Sequence, residues 1–176
     1  MTRAAFVLLI AAVACGKAAD SGASQAKAPT GKEILADVAA SKSLPPEHYA
    51  SPTAGFDLTL PGVWTGHYRT QEVKDTTDGA RLGVIFRFLP DSGSRAPQET
   101  LMTVRVFSQK AWKAAIRPGS LPIGSVLAER GDDVFVLSLP RENPYPAGTA
   151  EALGYDRLLI SIAQGGKQVD LTPHVK

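Results

Sequence analysis

Cysteine is nearly missing from this chain. Cys15 is the only one in 176 residues, so neither an internal disulfide nor a cysteine-rich metal cluster can form. Charge of one sign is missing too. The chain has 19 Lys and Arg against 17 Asp and Glu, a net charge of +2, without the strong field of a nucleic-acid binder. Histidine is scarce. His48, His67 and His174 have no second His or Cys at ligand spacing, which excludes a sequence-local zinc site. Asp132-Asp133 is too short a ladder for an EF-hand. There is no G-x-S-x-G nucleophile elbow, no phosphate-binding Walker loop and no dinucleotide fingerprint. Asn143 precedes proline and is no glycosylation acceptor. No apolar run reaches the ~20 residues of a membrane-spanning helix. What remains is 44% hydrophobic and 20% charged, the balance of a globular chain.

The longest apolar run is Ala4 to Ala14, eleven residues behind the positive Arg3. That is the length of a secretory h-region. It ends in Ala12-Val13-Ala14-Cys15, which resembles the lipobox of bacterial lipoproteins. The resemblance implies cleavage before Cys15, diacylglycerol on its thiol and acylation of the new amino terminus. Ala12 departs from the leucine preferred at its position. Ala12-x-Ala14 also fits an ordinary cleaved signal, but the chain's single Cys at the lipobox position favours lipidation. Two or three acyl chains anchor a protein stably, whereas one holds it marginally. The expected organisation is a signal peptide over 1–14, the lipidated Cys and a tether over 15–31, and one domain over 32–176.

The tether reads GKAADSGASQAKAPTG, with no large apolar residue. Random-coil scaling for such a segment gives a reach of about 20–24 Å. Its Ser24-Gln25-Ala26-Lys27 matches the S-x-x-K string of penicillin-binding serine enzymes, but no K-T-G follows and the segment lacks a rigid frame.

Beyond it, Ile34, Leu35, Val38 and Ala39 at helical spacing predict a short helix over Lys32–Ser43, a lid across one end of the domain. Period-two alternation then predicts strands at Phe56–Leu60, Trp64–Arg69, Leu82–Phe88, Leu101–Phe107, Ile123–Glu129 and Val134–Leu139. Pro61-Gly62 suits a type II turn. Arg130-Gly131-Asp132-Asp133 suits a hairpin turn. Ser108 is placed to cap a helix through Arg117, ended by Pro118-Gly119. Arg141–Gly148 is a proline-rich loop. Thr149–Gln164 reads as a closing helix with Gly165 as its C′ residue, although Gly154 leaves open a hairpin of Leu158–Ile162 and Lys167–Leu171. The order predicts an α+β fold, with an antiparallel sheet of about six strands and two or three packed helices.

Phe56-x-Leu58-x-Leu60-Pro61-x-x-Trp64 resembles the opening of PsbP-like domains and related bacterial lipoproteins, and the element order from about Ala54 onward is similar. Members of that family mostly bind, scaffold or assist assembly, and no catalytic set transfers to matching positions here. The residues themselves suggest a tight hairpin at Pro61, with Trp64 as an aromatic core plug rather than part of a ligand box. Arg69, Arg87 and Arg105 fall on three successive predicted strands, each opposite its strand's apolar set. If the strands pair in order, the arginines form a row joined by His67, suited to carboxylate or phosphate. The plainer reading of the same row is a solvated face.

The functional expectation is a lipid-anchored protein of the bacterial cell envelope, facing periplasm or exterior and acting as a non-enzymatic binding or accessory module. Its expected partners are the membrane, through the lipid on Cys15, and an envelope protein or small ligand; nucleic acid and a separate cofactor are not expected. The competing expectations are a hydrolase-like enzyme with a site assembled from distant residues, and a structural envelope protein.

Overall fold

The alternation read along the chain is realised as two antiparallel sheets in the computed structural model, which describes residues 31–40, 43–76, 78–116, 123–163 and 169–174. Cys15, the tether, Pro118-Gly119, Gly165 and Lys167 lie outside the described residues. The elements are α1 (Gly31–Ala40), β1 (Glu47–Ser51), β2 (Phe56–Leu60), β3 (Tyr68–Lys74), β4 (Leu82–Phe88), β5 (Thr100–Ser108), α2 (Gln109–Ala115), β6 (Ser125–Arg130), β7 (Asp133–Ser138), α3 (Ala150–Ala163) and β8 (Asp170–Pro173). A three-stranded sheet has the order β1-β2-β8, and a five-stranded sheet has the order β3-β4-β5-β7-β6.

The α+β class therefore stands, but the strands number eight among the described residues, in two sheets rather than one of about six. The two additional strands have almost no apolar alternation to display. In β1, Glu47-His48-Tyr49-Ala50-Ser51, the one large apolar side chain is Tyr49. In β8 only Leu171 is buried.

The core lies between the sheets. Phe56, Leu58 and Leu60 of β2 meet Val84 and Phe86 of β4, Val104 and Val106 of β5 and Phe135 of β7. Rings pack edge to face, Tyr49 on Phe86 at 5.0 Å and Phe56 on Phe135 at 5.9 Å, the arrangement the ring quadrupole favours. Side chains of this size contribute ~1.5–3 kcal/mol each on full burial. On the other face of the larger sheet, α2 covers Phe107, Val134 and Val136 with Trp112. Ser108 caps α2, its Oγ accepting from Ala111 N at 3.1 Å.

The closing segment is a helix and not a hairpin. Thr149 Oγ1 accepts from Ala152 N at 3.1 Å at its start, and Tyr155, Leu158 and Ile162 face the core. Gly154, the residue that obscured it in the sequence, sits beneath Phe88. A Cβ there would lie 3.0 Å from Phe88 Cζ. Helix α1 lies against α3.

Pro61 does not turn a hairpin. Strands β2 and β3 belong to different sheets, and Gly62–Trp64 is a 3-10 turn that carries the chain between them. Gly62 is needed for close approach rather than for a type II turn: an added Cβ would stand 2.2 Å from the Pro45 carbonyl oxygen. The expected strand through Trp64 begins only at Tyr68, after Gly66 at φ +78°.

Candidate functional site

The register of β3, β4 and β5 decides the fate of the expected arginine row. Strands alternate their side chains between faces, so Arg69, Gln71 and Val73 share the face of β3 that points away from the core. Across the β3–β4 pair, Arg69 stands opposite Arg87, Gln71 opposite Ile85 and Val73 opposite Gly83. Across β4–β5, Gly83 stands opposite Arg105. Arg105 is thus on the same face but four residues along the strand from Arg87, roughly 13 Å at ~3.3 Å per residue.

The three arginines also differ in partners. Arg105 Nε lies 3.0 Å from Asp78 Oδ2, and Arg105 Nη1 donates to Ser138 Oγ at 2.9 Å. Its charge is matched locally. Arg87 donates from Nε and Nη2 to Gln71 Oε1, both at 3.2 Å, and from Nη1 to the Gln98 carbonyl at 3.4 Å. These acceptors are neutral, so they orient the guanidinium without cancelling its charge. Arg69 is exposed. The expected row of three is therefore a directly opposed pair and a separate, ion-paired arginine. His67 precedes β3 and lines a groove with Val63 and with Arg157 of α3, which gives it different company from that of Arg69 and Arg87.

Trp64 is completely enclosed, and its Nε1 donates to Ser161 Oγ at 3.1 Å. It packs against Tyr68 and Phe86 as a core plug.

A cleft of about 520 Å³ opens where the β1–β2 and β6–β7 turns meet, lined by Arg81, Arg130, Asp132, Asp133, Phe135 and His174 among others. Its charges are mixed and largely engaged. Arg81 pairs with Asp133 at 2.9 Å, and Arg130 donates to the Pro173 carbonyl at 2.6 Å. His174 lies at the last described position. Its Nε2 lies 2.8 Å from Asp57 Oδ1 and its backbone N–H donates to the Gly55 carbonyl at 2.8 Å. The cleft was illegible in the sequence because its residues come from four distant segments. Only its Arg130–Asp133 turn could be read locally.

The seam between the edge strands β1 and β3 is closed by side chains. Glu47 accepts from Thr65 Oγ1 at 2.8 Å and from Tyr68 OH at 3.2 Å, and Ser51 Oγ donates to Glu72 at 2.7 Å. Burial, aided by the negative charge of Glu47, pushes the Tyr68 phenol far above its ordinary value. Burial likewise raises Tyr155, with Tyr145 and Glu99 adding to the effect. Both donate hydrogen bonds that tie segments together, Tyr68 to Glu47 and Tyr155 to the Thr100 carbonyl. Among the described residues no cluster of three or more His, Cys, Asp or Glu is placed to hold a metal ion, and no helix is long and apolar enough to cross a membrane. Compared with known proteins, the chain matches no protein family, no curated protein and no solved structure.

Proposed function

We propose that this chain is a bacterial envelope lipoprotein, held by lipid on Cys15, whose folded domain is a non-enzymatic binding or accessory module. One observation carries the anchoring: the only cysteine closes an eleven-residue apolar run and is followed at once by a tether of small and polar residues. An apolar run of that length suits a secretory signal and is too short to span a bilayer. The tether lets the domain stand about 20–24 Å from the lipid surface. That reach lets the domain meet a partner in the envelope or at the membrane surface. For the domain, binding is favoured by a sheet face that displays oriented, uncancelled positive charge.

Intact-mass measurement on the membrane-extracted protein tests the anchor. The expected mass is that of residues 15–176 plus a diacylglyceryl group on Cys15 and an acyl group on its amine. Cys15→Ser is expected to leave an unprocessed precursor or a soluble form. An unmodified thiol at Cys15 in the membrane-extracted protein overturns the reading.

A further inference from the structure

Like charges placed directly opposite each other on neighbouring strands are destabilising. Arg69 and Arg87 are such a pair. No acid relieves them on their own face of β3, β4 or β5, where the register neighbours are Gln71, Ile85, Val73, Gly83 and Thr103. Asp78 is at the far end of that face and holds Arg105. Glu72 is on the opposite face, bonded to Ser51. Glu99 adjoins Thr100, the register partner of Arg87, but its backbone N–H donates to the Tyr145 hydroxyl at 3.3 Å and its charge acts on Tyr145 of the loop before α3 and on Tyr155 of α3. Meanwhile Gln71 and the Gln98 carbonyl hold the Arg87 fork with three of its N–H groups. A guanidinium has five, so two remain for a ligand. The arrangement keeps one arginine oriented and the second exposed beside it, with both charges intact.

We propose that Arg69 and Arg87 clamp a phosphate group on the outer face of the five-stranded sheet. The proposal rests on the reading of the domain as a binding module and names the chemistry of its ligand. Phosphate suits the pair better than carboxylate does. One guanidinium fork engages both oxygens of a carboxylate, whereas a tetrahedral phosphate has further oxygens to reach a second fork in another plane. The phosphate comes either from a lipid headgroup or from a free phosphate or monoester in the envelope. Gln71 is a positioning residue. It fixes Arg87 through a neutral oxygen, and a carboxylate in the same place would cancel the charge.

The test is a titration of the full chain, labelled with nitrogen-15 on arginine, in a non-ionic detergent. The probes are inorganic phosphate and a short-chain phosphatidylglycerol, with acetate as the comparison, and the readout is the arginine Nε–Hε signals. The expected result is a saturable shift of Arg69 and Arg87, weakening as salt rises, with Arg105 unmoved. Saturation by both phosphate probes identifies the shared phosphate group, and saturation by the lipid alone identifies a headgroup. Arg69→Gln is expected to weaken binding roughly tenfold or more, as the loss of a charge-assisted pair does. Gln71→Glu is expected to do the same while preserving the fold, and Gln71→Ala, which leaves the charge in place, is expected to weaken binding less than Gln71→Glu. The proposal is overturned by shifts that rise linearly without saturating, by acetate acting as well as phosphate, or by Gln71→Glu binding phosphate like the unaltered chain. An unmodified Cys15 would leave this titration untouched, so failure of the anchor and failure of the clamp are separately visible.

Discussion

Trp64 shows how a single residue can be read from its neighbours. Its position after Leu60-Pro61 suggests an aromatic plug, and the structure encloses it fully with Ser161 as hydrogen-bond partner. Ser161 Oγ accepts from the indole and donates to the Leu158 carbonyl at 2.7 Å, so both polar groups are satisfied inside the core. Removing the hydroxyl strands a buried donor. Ser161→Ala is therefore expected to cost ~1–3 kcal/mol, and Trp64→Ala ~3–5 kcal/mol from lost contacts and cavity, both read from urea unfolding midpoints. With Trp112 changed to Phe, Trp64 fluorescence should be blue-shifted and resistant to quenching. A red-shifted, readily quenched Trp64 would return it to a ligand box.

At the scale of elements, the decisive local feature is the passage from β2 to β3. A chain leaving one sheet for another needs a sharp change of direction. Pro61 at φ −55° and the 3-10 turn Gly62–Trp64 provide it. Gly62 lets the Leu44–Pro45 backbone pass against this turn, with the Leu44 Cβ also only 2.7 Å from where a Gly62 Cβ would stand. Gly62→Ala must therefore displace backbone, and the expected loss is ~1–3 kcal/mol or more. Thermal unfolding of this variant beside Gly66→Ala, where no atom approaches but φ is positive, separates crowding from backbone strain. An unchanged Gly62→Ala midpoint would show that the two segments are not in contact. The strands that were legible in sequence, such as Leu82–Phe88 and Leu101–Phe107, alternate because one face packs between the sheets. Strands β1 and β8 were not legible, because short edge strands with one inward apolar residue each carry no period.

For the whole molecule, stability should depend on alkaline pH through its enclosed tyrosines. Tyr155 is fully buried and donates to the Thr100 carbonyl, and its phenol is raised well above the ordinary value of about 10. Below that pH both folded and unfolded chains keep the proton, so the stabilisation is complete. As pH rises past it, the unfolded chain ionises while the folded one holds its proton, and stability falls by up to ~1.4 kcal/mol per pH unit for such a group. The fall continues until pH reaches the raised folded value. Urea midpoints measured above about pH 10 should drop less steeply in Tyr155→Phe than in the unaltered chain. Equal slopes would show that Tyr155 titrates normally.

The sequence by itself determined the α+β class, the capped helix after Ser108 and the burial of Trp64, while the choice of helix over hairpin for the closing segment came from the structure. The first three follow from local periodicity or from a capping residue a few positions away, which the chain carries wherever it folds. Only the tertiary structure decided the division into two sheets and the grouping of the arginines. Alternation along one strand says which face a side chain takes, and it placed Arg69, Arg87 and Arg105 together correctly on one face. It says nothing of which residue stands opposite on the next strand. That depends on the length of the turn joining them, here the Asp75–Arg81 segment closed by Asp75 N to Arg81 O at 3.2 Å, and on the bulge between Phe86 and Arg87. The turn sets Arg69 against Arg87, the bulge puts Thr100 opposite Arg87 on the other side, and Arg105, opposite Gly83, is left to Asp78. Register is fixed by burying two sheets' inner faces against each other, a condition no single strand contains.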